Sequence, residues 1–374
     1  MLQRTWENYF IVRGRICSEF WKKYLEERKR KIFFIMGIGF DPRSIIGLET
    51  IINAGVKDIN CLAIKIEEGP DSPSMELEEM IRVNYSKIER VLSPANLLTE
   101  PIKMFDNGRR VGPQEIIKLL NDSSKVNLAD YSDIVVDASA LPRCIFFLII
   151  TELLHIIDNN DMPINFHVIV AENSELDKEI KQEALDENAY PFPGFERATS
   201  AEYLEGIPKI WIPILGENKE YHLRKICDNL KPEEVCPMLP FPAKNPRRCD
   251  DLIKEYYEFL FDSISVEPRN FIYAAENNPF NVYRKIIYTV QRYNKSLEPL
   301  GGSIKMIISC LSSKIMTIGA AIAAYELRKN NYHVAVWHLD ARGYSLSKDI
   351  KEKLEAVTEK SELFSIWLTG ECYG

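Results

Sequence analysis

The chain has 374 residues, 46% of them hydrophobic and 27% charged, a composition typical of a folded globular protein and not of a disordered one. Its length suits one large α/β domain or two domains. The net charge of −8 and the pI near 5.4 argue against a general affinity for nucleic acid, because nonspecific binding needs clustered Lys and Arg against phosphates.

The sequence also argues against a transmembrane segment and against a metal site. A bilayer span needs roughly 18 apolar residues, and the longest apolar run, 144–154, is interrupted by Thr151 and Glu152. The N-terminus lacks the apolar core and cleavage site of a secretion signal, so we expect a cytoplasmic protein. The eight cysteines are scattered without a CxxC pair, so we predict no metal site.

Residues 1–30 are predicted to form an amphipathic helical segment. Aromatic side chains such as Trp6, Trp21 and Tyr24 recur through it, and it ends in the basic run 28–31. We expect this segment to pack on the body of the protein or to contact a protein partner.

Residues 31–230 are predicted to form a first Rossmann-like half. Apolar strands are expected at 32–36, 58–66, 133–137, 165–171 and 209–215. Apolar runs of this kind, with helical patterns between them, are typical of a parallel sheet that is covered on both faces.

The segment 231–249 is rich in proline and is predicted to be a linker or rigid loop, because proline continues neither a helix nor a central strand. Residues 250–374 are predicted to form a second Rossmann-like half. In it, the apolar run 304–308, the helical pattern from Lys314 and the strand 333–338 form a βαβ unit. With about nine strands in all, the sequence indicates an α/β fold with a mostly parallel, doubly wound sheet.

Four loops join a predicted strand to a predicted helix and carry polar residues that packing does not require. Their candidate ligand-binding residues are Gly37, Gly39, Asp41 and Arg43, then Ser139 and Arg143, then Asn278, then Ser312, Ser313 and Lys314. Loops that follow parallel strands share one edge of a sheet, so we expect helix N-termini, hydroxyl groups and cations to converge there on a phosphate. Alternatively, Ser139, Asn278 and Ser312 or Ser313 serve only as helix N-caps.

Three carboxylates at predicted strand ends are the candidates for catalysis, namely Asp41, Asp137 and Glu276. They could hold Mg²⁺ in a hydrolase or nucleotidyl-transfer enzyme, or bind ribose hydroxyls in a protein without catalytic activity. Neither a P-loop nor the three-glycine Rossmann motif is present.

The segment 311–321, LSSKIMTIGAA after an apolar strand, resembles the strand–loop–helix segment of CRISPR-associated Rossmann-fold (CARF) domains. Those domains bind cyclic oligoadenylates, are usually dimeric and control an attached effector. The resemblance implies a role in antiviral defence and contacts from Ser312, Ser313 and Lys314 to ligand phosphate or ribose. Leu311 and Ser312 stand where that family has glycines.

The segment 37–42, GIGFDP, is similar in position to the PP-loop of ATP pyrophosphatases and keeps one glycine and Asp41. The first serine, one glycine and the last serine of that motif are missing. This second resemblance implies a degenerate relative that binds an adenine nucleotide.

Taken together, these features favour a nucleotide- or nucleotide-signal-binding protein that acts as a sensor or partner subunit. The expected partner is a nucleotide or another phosphorylated small molecule, with an adenine nucleotide as the candidate cofactor. The alternatives are a Mg²⁺-dependent enzyme that uses the three carboxylates, and a structural subunit of a complex.

Overall fold

The computed structural model describes residues 5–70, 72–200, 206–297 and 302–373. The chain divides into two compact units. The terminal unit contains Trp6–Leu185 and Ala341–Gly374, and the central unit contains Asp186–Asp340 with Thr5.

In chain order the strands are β1 Phe10–Arg13, β2 Lys31–Ile38, β3 Asp58–Glu67, β4 Leu97–Lys103, β5 Phe105–Asp106, β6 Arg109–Arg110, β7 Asp133–Asp137, β8 Asn165–Glu172, β9 Ile180–Leu185, β10 Tyr190–Pro191, β11 Lys209–Ile214, β12 Glu234–Val235, β13 Met238–Pro240, β14 Ile272–Ala274, β15 Lys305–Cys310, β16 His333–His338, β17 Ala341–Leu346 and β18 Glu362–Thr369. The α-helices are α1 Arg15–Glu27, α2 Ile46–Asn53, α3 Glu78–Val91, α4 Gly112–Asn121, α5 Arg143–Asn159, α6 Ser174–Glu179, α7 Arg197–Ser200, α8 Glu220–Leu230, α9 Arg248–Glu255, α10 Pro279–Leu297, α11 Lys314–Lys329 and α12 Lys348–Thr358.

The terminal unit is built on a seven-stranded sheet of order β1-β18-β8-β7-β2-β3-β4. Five neighbouring strands, β8 to β4 in that order, run parallel, whereas β18 pairs antiparallel with β8 and β1 pairs antiparallel with β18. The central strands are buried because β2 and β7 are continuous apolar runs, as a sheet covered on both faces requires. The aromatic side chains Trp21 and Tyr24 of α1 belong to the same core, so the N-terminal segment packs on the body of the protein.

The central unit is built on a second sheet, of order β10-β16-β15-β11-β13-β14. All neighbours from β16 to β14 are parallel. Helix α11 is buried along its whole middle, from Ile315 to Leu327, because alanine and other apolar residues occupy all of its faces. The predicted α/β class with mostly parallel sheets is therefore confirmed.

The division into units differs from the predicted halves. The Pro-rich segment 231–249 does not separate them: it lies inside the central unit, where its strand β13 pairs with β11 and β14. Residues 186–230 join the central unit, and residues 341–374 return to the terminal unit, where β18 pairs with β8. Strand pairing between residues far apart in sequence, and not local composition, sets these boundaries. Among the described residues, no helix combines the length and apolar character needed to cross a membrane.

Candidate ligand site

Each unit contains a topological switch point. If the five parallel strands of a unit are numbered along the chain, both sheets have the order 3-2-1-4-5. The first and fourth strands are then neighbours, and the chain continues from them toward opposite edges of the sheet. Ligands of open α/β sheets bind in the crevice beyond the carboxyl ends of these two strands. The loops after β11 and β15 form the central crevice, and the loops after β2 and β7 form the terminal crevice.

At the central crevice the two loops are in backbone contact. A Cβ atom placed on Gly216, which follows β11, would lie 2.3 Å from the carbonyl oxygen of Leu311 and 2.8 Å from Cα of Ser312. Since real Cβ atoms do not approach other atoms so closely, only glycine permits this contact. Sequence inspection missed Gly216, although it follows the predicted strand 209–215 directly.

Helix α11 begins at this crevice. The Ser313 side chain caps it by accepting a hydrogen bond from the Met316 backbone N–H at 3.3 Å, and Lys314 is its first residue. The neighbouring Ser312 is 7% exposed. The first-turn N–H groups of a 16-residue helix and the positive end of its dipole favour an anion here. The predicted site residues Ser312, Ser313 and Lys314 therefore lie beside the loop that contains Gly216.

An arginine connects the loops that follow three strands of this sheet. Arg248, at the start of α9, makes two hydrogen bonds to Glu217, at 2.8 and 2.7 Å, and a further one to Glu276. Glu276 also accepts a hydrogen bond from the Lys244 backbone N–H at 2.8 Å. The predicted catalytic candidate Glu276 is thus a partner of an arginine, which balances its charge.

The predicted residue Asn278 acts as a helix cap. Its side-chain oxygen accepts a hydrogen bond from the Asn281 backbone N–H at 3.1 Å, just before α10 begins with Pro279. This geometry is that of an ordinary N-cap.

The two loops of the terminal crevice are also in contact, but here the polar side chains are bound by other groups of the protein. A Cβ atom on Gly37 would lie 2.8 Å from Cδ2 of Leu141, so this glycine accommodates a side chain of the loop after β7. A Cβ atom on Gly39 would lie 3.5 Å from Cβ of Ala140, and the Gly39 carbonyl accepts a hydrogen bond from Asn84 at 2.9 Å.

Arg43 is buried in this crevice, with an exposure of only 1%. Its guanidinium lies 2.6 Å from Asp41 and 2.7 Å from Asp177, and it also donates to the Ala171 carbonyl at 3.4 Å. Burial lowers the pKa of Arg43, but the two carboxylates outweigh that effect and raise it above its ordinary value. Asp41 also accepts a hydrogen bond from the Arg43 backbone N–H. These contacts give both residues a structural role.

The loop after β7 is fixed in a similar way. Asp137 is 1% exposed and accepts a hydrogen bond from the Ser139 backbone N–H at 2.8 Å. The Ser139 hydroxyl accepts one from the Ala171 backbone N–H at 2.9 Å, so it connects this loop to β8. Arg143 is the half-buried first residue of α5.

The expected single sheet edge is therefore not found, because the four predicted loops belong to two sheets. Gly37, Gly39, Asp41, Arg43, Ser139 and Arg143 follow strands of the terminal sheet, and Asn278, Ser312, Ser313 and Lys314 follow strands of the central one. The predicted joint action of Lys314 with Arg43 and Arg143 rested on that shared edge. Sequence spacing could not reveal the division, since the same strand–loop–helix pattern occurs in both units.

Two further polar residues of the central sheet, Ser309 and His338, take part in packing. The Ser309 hydroxyl lies inside β15 and accepts a hydrogen bond from the Trp211 indole N–H at 3.0 Å. The His338 ring, at the end of β16, stacks on Phe192 with ring centroids 3.9 Å apart, and its Nε2 lies 3.3 Å from Asp340. Within the described ranges, His, Cys, Asp and Glu side chains form no group of three or more that could hold a metal ion.

Comparisons with known proteins leave the family of this chain open. No protein-family model matches the sequence, and no curated protein matches it. Among solved structures, the chain is similar to a universal stress protein from Archaeoglobus fulgidus DSM 4304, with 13% identity and a TM-score of 0.22. The match covers 82% of this chain and 94% of that protein.

Proposed function

We propose that the central unit binds a nucleotide or nucleotide signal in the central crevice, and that the protein acts as a sensor or partner subunit. The observation that carries this proposal is the backbone contact between Gly216 and Leu311–Ser312 at the switch point of a 3-2-1-4-5 sheet. It brings the loops after the first and fourth strands together beside the N-terminus of α11.

The chemistry of the crevice suits a phosphate group. Backbone N–H groups of the first turn of α11, the Ser312 and Ser313 hydroxyls and the Lys314 ammonium group can all donate hydrogen bonds to phosphate oxygens. Leu311 and Ser312 are buried and Ser313 and Lys314 are half-buried, so part of this surface is shielded from water. The rest of a nucleotide would then extend along the carboxyl edge of the central sheet, as in other folds of this topology.

Binding can be tested by calorimetry and thermal unfolding. ATP, cyclic AMP and a cyclic oligoadenylate would each be titrated with and without Mg²⁺, the last because of the resemblance of 311–321 to CARF segments. A ligand at about 100 times its Kd should stabilise the protein by about 2.7 kcal/mol. If none of these nucleotides binds, the proposal is wrong.

A lysine variant locates the site. We expect Lys314→Ala to weaken nucleotide binding at least about tenfold, since a charged hydrogen bond to phosphate contributes about 1.5 to 3 kcal/mol. Lys329→Ala removes the same charge at the other end of α11 and should leave Kd unchanged. Equal effects of the two substitutions would place the ligand elsewhere.

The enzyme hypothesis has less support. Asp41 and Asp137 belong to the terminal unit and Glu276 to the central one, and both Asp41 and Glu276 are ion-paired with arginines. A carboxylate that already neutralises an arginine is poorly suited to recruit Mg²⁺ or to accept a proton. We therefore propose binding and not catalysis.

A further inference from the structure

The loop 216–219 of the central crevice is held by residues at the end of one helix. Tyr256 follows α9 directly and is 1% exposed. Its hydroxyl donates a hydrogen bond to the Gly216 carbonyl and accepts one from the Lys219 backbone N–H at 2.9 Å. One phenol group thus joins the two ends of this loop.

A second contact fixes the middle of the same loop. Asn218 has a left-handed backbone, with φ of 59°, so the chain turns sharply there. Its backbone N–H donates a hydrogen bond to Glu255 at 2.7 Å. Three backbone groups of the loop, namely the Gly216 carbonyl and the Asn218 and Lys219 N–H groups, are therefore bound by Glu255 and Tyr256.

The position of Gly216 decides whether the central crevice keeps its shape. Gly216 contacts Leu311 and Ser312, and its carbonyl is bonded to Tyr256. A loop of this length without such bonds would sample several conformations, and ligand binding would then have to order it at a cost in free energy. Burial raises the pKa of Tyr256 above its ordinary value, so the hydroxyl stays protonated and able to donate near neutral pH.

We propose that Tyr256 is a positioning residue of the ligand site, whose hydroxyl holds the loop 216–219 in the conformation that binds the nucleotide. This inference rests on the proposed function. Tyr256 does not itself touch the ligand: it acts through the backbone of Gly216 and Lys219.

The test compares two tyrosine variants of the full chain. Tyr256→Phe removes the hydroxyl that holds the loop. Tyr283→Phe is the matched control, because Tyr283 is also fully buried in the central unit and donates to Glu326 at 2.7 Å, near the far end of α11. For each variant we would measure Kd for ATP and for a cyclic oligoadenylate, urea unfolding, and hydrogen exchange of the Lys219 amide.

We expect Tyr256→Phe to raise Kd about tenfold and to speed exchange of the Lys219 amide, at a loss of stability similar to that of the control. Tyr283→Phe should change Kd by less than about twofold. A merely structural role of Tyr256 predicts equal Kd values for the two variants at equal stability, and that result would overturn the inference while leaving the proposed function in place.

Two other outcomes are also decisive. If wild-type protein binds neither nucleotide, the proposed function fails, and faster exchange in Tyr256→Phe would then mark a structural contact only. If Tyr256→Phe does not fold, Glu255→Ala replaces it, because Glu255 is exposed and holds the same loop through Asn218. This variant should raise Kd about threefold, and an unchanged Kd would overturn the inference.

Discussion

The backbone of Gly216 lies so close to Leu311 that a Cβ atom at residue 216 would be 2.3 Å from the Leu311 carbonyl oxygen. Gly216→Ala should therefore force the two loops of the central crevice apart. We expect a loss of about 1 to 3 kcal/mol in the free energy of unfolding, as for other overpacked sites, and nucleotide binding weakened more than about tenfold. Urea unfolding and calorimetry would measure the two effects.

Gly302→Ala is the control for this substitution. A Cβ atom there would lie 3.5 Å from Cβ of Leu297, which is ordinary van der Waals contact. We expect its stability and Kd to match those of the wild type. If Gly216→Ala behaves like the control, the loops are not in the contact described.

The ion pairs of Arg43 predict that substitution of Arg43 and substitution of Asp177 will lower the stability of the protein by unequal amounts. Arg43→Met leaves the Asp41 carboxylate, only 7% exposed, without a countercharge, and should destabilise the protein by about 3 to 5 kcal/mol. Asp177→Asn should cost less than about 1 kcal/mol, because the Asp177 side chain is 40% exposed and water can replace its contacts. Chemical denaturation would compare the two variants.

The Kd of the Arg43→Met variant tests whether Arg43 takes part in ligand binding. In Arg43→Met, the Kd for nucleotide should stay as in the wild type under conditions where the variant is folded, because we place the ligand in the central unit. A large rise in Kd would instead support the original hypothesis that Arg43 binds the ligand together with Lys314.

Buried His167 predicts a loss of stability in acid. Burial and the nearby Arg30 lower the pKa of His167 to about 3, so the folded protein keeps this ring neutral. The unfolded chain takes up a proton below the ordinary value of 6.5, so the contribution of His167 to stability is complete above pH 6.5 and is lost as the pH falls toward 3. Because of this one group, the free energy of unfolding should be about 2 kcal/mol lower at pH 5 than at pH 8.

Measuring the free energy of unfolding at pH 8 and pH 5 isolates this effect. His167→Gln should lose less stability than the wild type between these two pH values, although it is less stable at both. His155→Gln, which replaces a half-buried histidine on α5, should keep the wild-type loss. If His167→Gln loses as much stability between pH 8 and pH 5 as the wild type does, other groups cause the loss.

The cysteines differ in accessibility. Burial raises the pKa of Cys17 to about 12 and of Cys227 and Cys236 to about 11, whereas Cys372 is exposed. Although partial burial raises its pKa as well, Cys372 should be the one thiol of eight that reacts quickly with a disulfide reagent in the native protein. Cys372→Ser should abolish the fast phase, and a persistent fast phase would show that another thiol is accessible.

The amino-acid sequence by itself determined the local elements that depend on apolar runs and helix caps. It predicted strand 133–137 and the start of α11 at Lys314 correctly, because a β-branched run and a capping serine act through neighbouring residues. The α/β class followed from the alternation of these elements. Helices α3 and α4 and strand β4 were not predicted.

Only the tertiary structure decided which loops share an edge. The segment 37–44 has the local pattern of a phosphate loop, yet Asp177, 134 residues further along the chain, holds its arginine. Nothing in the sequence around Gly216 predicts its close contact with Leu311, which lies in the loop after the neighbouring strand β15. Strand pairing and charge pairing join residues far apart in sequence, so the loops and side chains that meet at each crevice cannot be deduced from spacing along the chain.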